Sequence, residues 1–172
     1  MNSNYHPITN QRSTPPISQV VQNAAQRSGI DFDHLMDVAR VESNFNPSAK
    51  APTSSATGLY QFTSQTWLST IDRHGASMGL DWAAEAISRD GSGRFSVKDG
   101  DLRAQILGLR NDPAAASAMA AALTADNRNY IEPRLGRTAE PVDLYLAHFL
   151  GSQGAVNFLS AMSADPDQAA AP

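Results

Sequence analysis

The sequence predicts an all-α protein, on three observations. Apolar residues recur at i, i+3, i+4 and i+7 in most segments; no stretch shows convincing period-two alternation; and Gly, Pro, Asp, Ser or Thr punctuates the chain where helices should start or stop. About seven to nine helices are expected. Because helical faces of this kind must cover one another, irregular ridges-into-grooves packing around one core follows.

In chain order, residues 1–16 are polar, end in Thr14-Pro15-Pro16 and read as a flexible leader. Ile17, Val20, Val21, Ala24 and Ala25 mark a first helix closed by Gly29. Asp31 or Asp33 caps a second, with Leu35, Val38, Ala39 and Glu42 in one row. Pro47 disfavours helix at Asn46, so this helix should end close to Glu42. A small, polar loop, residues 48–58, is long enough to border an opening, and Leu59-Tyr60-Gln61-Phe62 leads back into the core. Thr63 or Ser64 caps a third helix carrying Trp67, Leu68 and Ile71 and stopping at Gly75.

Residues 81–87 predict a fourth helix with Asp81 near its cap, and residues 89–95, rich in Gly, an exposed turn that either connects elements or rims a cleft. Asp101 opens a helix through Leu102, Ile106 and Leu109. Asp112-Pro113 reads as an N-cap with proline at the first helical position, starting an alanine-rich helix to about Tyr130 whose small residues suit close packing. Residues 131–136 interrupt the pattern. Thr138 and Pro141 begin a helix with Leu144, Tyr145, His148 and Phe149 that ends before Gly151, and Ser152 opens a last one through Ala155, Phe158, Leu159 and Met162. Residues 163–172 read as a flexible tail, which leaves one domain over residues 17–162.

Composition narrows the function. Thirteen basic against seventeen acidic residues give a net charge of −4 with no basic patch, which argues against a nucleic-acid partner. There is no cysteine, so disulfides and thiolate metal sites are excluded while the redox compartment is left open. No apolar run is long enough to span a membrane, and residues 1–18 contain no hydrophobic signal core. His6, His34, His74 and His148 lack ligand spacing, so neither a metal nor another cofactor is expected.

The residue to explain is Glu42, an acid in an apolar row. Ionised carboxylates are costly to bury, and the usual response is a raised pKa, which suits a general acid; the competing reading is that Glu42, near a helix end, turns to solvent. Acid–base chemistry often pairs two carboxyl groups whose environments set their roles apart. Asp72, Asp81, Asp90 and Asp143 are the candidates for a second, and each has an ordinary structural reading as a cap, turn or surface residue.

Glu42-Ser43, followed by Asn44-Phe45-Asn46-Pro47-Ser48-Ala49, then Gly58-Leu59-Tyr60-Gln61-Phe62 and Trp67, resembles the catalytic domain of the soluble lytic transglycosylases, over about residues 17–162. A third block, Tyr145-Leu146-Ala147-His148-Phe149-Leu150-Gly151, resembles the later Ala-Tyr-Asn-Ala-Gly motif. The resemblance implies a lysozyme-like irregular bundle with a substrate cleft and an enzyme of the cell wall. It would cleave the bond from N-acetylmuramic acid to N-acetylglucosamine in peptidoglycan, leaving 1,6-anhydro ends. One glutamate, Glu42, would serve as acid and then base without a cofactor. Ser43, Tyr60, Gln61, Tyr145 and His148 would bind substrate or position the acid, Tyr60 by stacking on a sugar.

The third block departs from the family: His148 and Phe149 stand where the Tyr-Asn pair belongs. The hydroxyl that meets the acid must then come from Tyr145, ranked first, or be replaced by His148. The same resemblance implies an exported monomer in the periplasm or cell wall, with glycan strands and a flagellar, secretion or phage assembly as partners. Two alternatives remain: a goose-type muramidase that uses water, and a weakly active wall-binding or assembly module.

Overall fold

A computed structural model describes residues 15–164. Most of the expected leader and tail therefore lies outside the described residues, and Ser163 and Ala164 still belong to the last helix. Seven α-helices are present among the described residues: α1 (Ile17–Ser28), α2 (Phe32–Ser43), α3 (Ser64–His74), α4 (Asp81–Glu85), α5 (Gly100–Gly108), α6 (Pro113–Leu135) and α7 (Pro141–Ala164). Single 3-10 turns follow α3 and α5, at Ala76–Met78 and Leu109–Asn111.

The centre of the molecule is α6. Its buried residues, among them Ala116, Met119, Ala121, Thr124 and Ile131, fall around the helix rather than on one stripe, as expected of a helix covered on several sides. Alanine makes that possible by letting α1, α3 and α7 approach closely. The main core joins Val21 of α1, Leu35 and Ala39 of α2, Leu59 and Phe62 of the incoming loop, Trp67, Leu68 and Ile71 of α3, and Met119 of α6. Within it, Trp67 donates its indole N–H to the Ile106 carbonyl at 2.8 Å and meets Phe62 edge-on, ring centres 5.1 Å apart. A second, smaller cluster, Ile131, Ala147 and Ala155, holds α7 to α6.

Helix starts are fixed by the side chains expected of them, with small shifts. Asp31, rather than Asp33, caps α2 by accepting from the His34 N–H; Thr63 caps α3; Asp112 caps α6, with Pro113 in the first helical position. Asp99, two residues before the expected Asp101, caps α5 through the Leu102 N–H. Asp81 is the first residue of α4 and makes no side-chain cap.

Two expectations are corrected and two helix ends agree. Residues 87–97 form an antiparallel hairpin, β1 (Ile87–Arg89) with β2 (Phe95–Val97), where no strand was expected. The strands are three residues long, too short to show a period, and the turn is organised by Asp90, whose Oδ1 accepts from Ser92 N–H, Ser92 Oγ–H and Arg94 N–H. The α3 helix ends at His74 with Gly75 as its C-cap, as expected, and the chain continues into the 3-10 turn and reverses at Gly79 (φ 76°). The α6 helix does not break at residue 131, because burial of Ile131 keeps the turn packed, Pro133 lies in the last turn, and Gly136 (φ 67°) supplies the cap. The expected break at Gly151 is present: that residue is non-helical (φ 73°, ψ 160°), so α7 consists of two helices joined at it.

The start of α7 depends on Asp143. Its buried carboxylate takes two hydrogen bonds from the Arg137 guanidinium and one, at 2.8 Å, from the Glu140 N–H. The Arg137 hydrogen bonds, helped by the Glu140 N–H, hold the Asp143 pKa below the ordinary aspartate value against the opposing effect of burial. Asp143→Ala is expected to cost about 2 kcal/mol at neutral pH, a figure discounted because Arg137 is half exposed. Since the folded-state pKa is the lower one, this contribution is complete above the unfolded value of about 4 and fades as pH falls through the folded value. Urea denaturation at pH 7 and pH 3 should therefore show the deficit shrinking on acidification.

Candidate active site

The C-terminus of α2 builds the site. The helix stops one residue after Glu42: Asn44 (φ 50°) and Phe45 (φ 62°) both turn left-handed, and their N–H groups return to the Arg40 and Ala39 carbonyls. A positive φ at phenylalanine is uncommon, and Gln61 (φ 49°) is the third such non-glycine residue among those described. All three flank Glu42 in the chain or in the loop that folds back on α2, where strain concentrates when the surrounding structure over-determines it.

Ser43 makes that return possible. Its hydroxyl lies 2.8 Å from the Leu59 carbonyl and 3.1 Å from the Ala39 carbonyl, joining the end of α2 to the incoming loop. Gln61 folds inward, and its Nε2 donates to the Gly58 carbonyl at 2.9 Å and the Ala49 carbonyl at 3.2 Å. Both amide protons are thereby used inside the loop, so toward a ligand this side chain can only accept.

Arg110, which no sequence signal singled out, locks the loop from beneath. It is buried, donates from its guanidinium to the Leu107, Ser55 and Phe62 carbonyls, and has its pKa lowered by burial and by the nearby positive charge of Arg103. A lone arginine before Asn111-Asp112-Pro113 looks like a surface residue, because carbonyl partners leave no trace in a sequence.

Glu42 itself is largely withdrawn from water, with 21% of its side chain exposed. Facing it is His148 of α7, equally shielded, with Nε2 3.6 Å from Glu42 Oε1. That is beyond hydrogen-bond length but close enough for the charge of one to act on the other. Since α7 lies along α6, it reaches α2 through these long side chains. His148, and not Tyr145, is thus the group brought to the acid; Tyr145 packs half-buried against the main core.

Tyr60 is also corrected. It is completely buried, which rules out stacking on a sugar, and burial pushes its pKa up to about 12. Its hydroxyl is near Ser117, yet neither oxygen completes a hydrogen bond among the described residues. The apolar environment at the loop's return outweighed the preference of a tyrosine for a wet hydroxyl.

No second carboxylate joins Glu42 among the described residues. Asp72 and Asp81 are exposed, Asp90 is occupied by the hairpin turn, and Asp143 by Arg137. A further titratable group is His34, two turns before Glu42 on α2. Burial lowers its pKa, the charge of His148 acts in the same direction, and Asp31 and Asp37 oppose both. His34 lines a cavity of about 570 Å³ with Arg128, Glu132 and Leu144, whereas Glu42 lies outside both this cavity and one of about 340 Å³ beside α1. No cluster able to hold a metal ion occurs among the described residues.

The geometry thus offers one shielded carboxyl group that can give up and recover a proton, an imidazole beside it, and a loop tied to the same helix end. Residues 19–81 match the family model described as "Transglycosylase SLT domain". The match takes in α1, α2, the loop and α3, and with them Glu42, Ser43, Tyr60 and Gln61, while Tyr145 and His148 lie beyond it. Over residues 19–81 the chain is thus similar to the transglycosylase SLT domain family, and its largely helical architecture is consistent with the all-α, lysozyme-like fold expected from that similarity.

Proposed function

We propose that residues 17–162 form a peptidoglycan lytic transglycosylase domain that cleaves the bond from N-acetylmuramic acid to N-acetylglucosamine and leaves a 1,6-anhydro end. The observation that carries this reading is the solitary, shielded Glu42: with no partner carboxylate, one group has to act as both acid and base. Protonated Glu42 gives its proton to the glycosidic oxygen as the C1–O bond breaks. The substrate's acetamido group stabilises the positive charge at C1. Glu42, now a carboxylate, takes the proton of the muramoyl C6 hydroxyl, whose oxygen bonds to C1, and the starting protonation state returns.

The supporting residues have definite tasks. Ser43 and the left-handed turn fix the end of α2, and Gln61 presents an acceptor. His148 stands where the resemblance places a tyrosine hydroxyl, 3.6 Å from the Glu42 carboxyl group, and orients it. The substrate lies outside the cytoplasmic membrane, so the domain acts after export, in the periplasm or wall, as a monomer and in the service of a larger assembly that must pass the wall. No helix among the described residues is long and apolar enough to cross a membrane.

Incubation with purified sacculi followed by mass spectrometry of the released muropeptides tests the assignment. Anhydro-muramoyl ends are expected. Reducing muramic ends would make the protein a muramidase, and absence of any released product would make it a binding module.

A further inference from the structure

The first half of α7 carries a feature that the proposed chemistry does not use. Val142, Tyr145 and Phe149 are spaced i, i+3 and i+7, which places them on one face of the helix. The opposite side, with Asp143 and Ala147, is buried. Along the exposed face Val142 is 56% exposed and Phe149 75%, while Tyr145 is half-buried between them. A phenylalanine ring left three-quarters in water is unusual in a chain with few aromatic residues, and it raises the question of what covers it.

Position answers the question. His148 is three residues after Tyr145, on the neighbouring face, and it is the residue in contact with Glu42. Val41, the residue before Glu42, is also exposed, so apolar surface adjoins the acid on both helices that supply the pair. The strip contains no charged side chain, which fits the C–H face of a sugar ring better than a charged peptide. A pyranose ring presents a flat face of C–H groups, and an exposed aromatic ring is the surface that such a face covers.

We infer that Phe149, with Tyr145 one turn before it, is a stacking platform for a sugar ring of the glycan strand, adjoining the bond at Glu42. This rests on the reading of the protein as a glycan-binding domain and supplies the aromatic contact that buried Tyr60 cannot. Phe149 acts as a binding residue and takes no part in proton transfer.

The test separates binding from cleavage. In a Glu42→Gln background, affinity for solubilised glycan strands is measured by titration calorimetry for the parent and for Phe149→Ala and Phe149→Trp. About three- to ten-fold weaker binding is expected with alanine, with retention or tightening by tryptophan and unchanged thermal melting in both, since the ring contributes little to the core. In the Glu42 protein, Phe149→Ala should raise KM by more than it lowers kcat. Equal affinity across the three proteins overturns the platform and leaves the strip to a protein partner; so does a Glu42→Gln parent that binds no glycan. Because the titration needs no turnover, failure of the cleavage chemistry alone would leave its result standing.

Discussion

Glu42→Gln is expected to lower muropeptide release by roughly a thousand-fold or more, with folding and glycan binding retained. Glutamine keeps the size of the side chain and its place beside His148, yet it can neither deliver a proton to the glycosidic oxygen nor collect one from the C6 hydroxyl. Because the same group is used in both steps, the substitution removes the proton donor of the first and the proton acceptor of the second. The circular dichroism spectrum and melting temperature should match those of the parent, since Glu42 makes no hydrogen bond that holds the fold among the described residues and its contact with His148 is loose. Anhydro-product formation within ten-fold of the parent would remove Glu42 from the chemistry and leave the domain a wall-binding module.

Much of this site was legible in the residues because it depends on local rules. The apolar row Leu35, Val38, Ala39 with Glu42 at its end singled out the acid but left it facing either the core or solvent, and in the structure it is largely shielded at a helix terminus. Asp112-Pro113 and Gly29 predicted helix ends through capping alone. What was not legible depends on contacts between distant segments. Tyr60 and Gln61 are neighbours in one short motif, but burial of the first and the left-handed turn at the second are decided by the loop's packing on α2 and α6. The choice between Tyr145 and His148 turned on how α7 rotates against α6, which is fixed by Ala147, Ala155 and Ile131, none of which carries a chemical signal. Arg110 was missed for a related reason: its partners are backbone carbonyls from residues 55 and 62, nearly fifty positions or more away.

Gly58→Ala is the substitution expected to damage the fold most. Gly58 has φ 87°, a conformation disfavoured for residues with a Cβ, and a Cβ there would lie 1.9 Å from the Arg110 carbonyl oxygen. The obstacle is backbone, so no side-chain rotation relieves it, and the loop between Lys50 and Phe62 has to shift away from the 3-10 turn at Leu109–Asn111. That movement pulls the Ser55 and Phe62 carbonyls from Arg110 and the Gly58 carbonyl from Gln61. Conformational strain together with overpacking predicts a loss of roughly 2–5 kcal/mol, read as a lowered urea midpoint, and glycan cleavage should fall with it as Gln61 leaves its position. Gly79→Ala is the matched control: Gly79 also has a positive φ (76°), but a Cβ there meets nothing within 4 Å, so only the conformational cost of about 1 kcal/mol applies. The difference between the two variants isolates the close approach of the loop to Arg110. If the two midpoints fall by the same amount, that approach does not hold the loop, and the placement of Gln61 beside the end of α2 loses its physical cause.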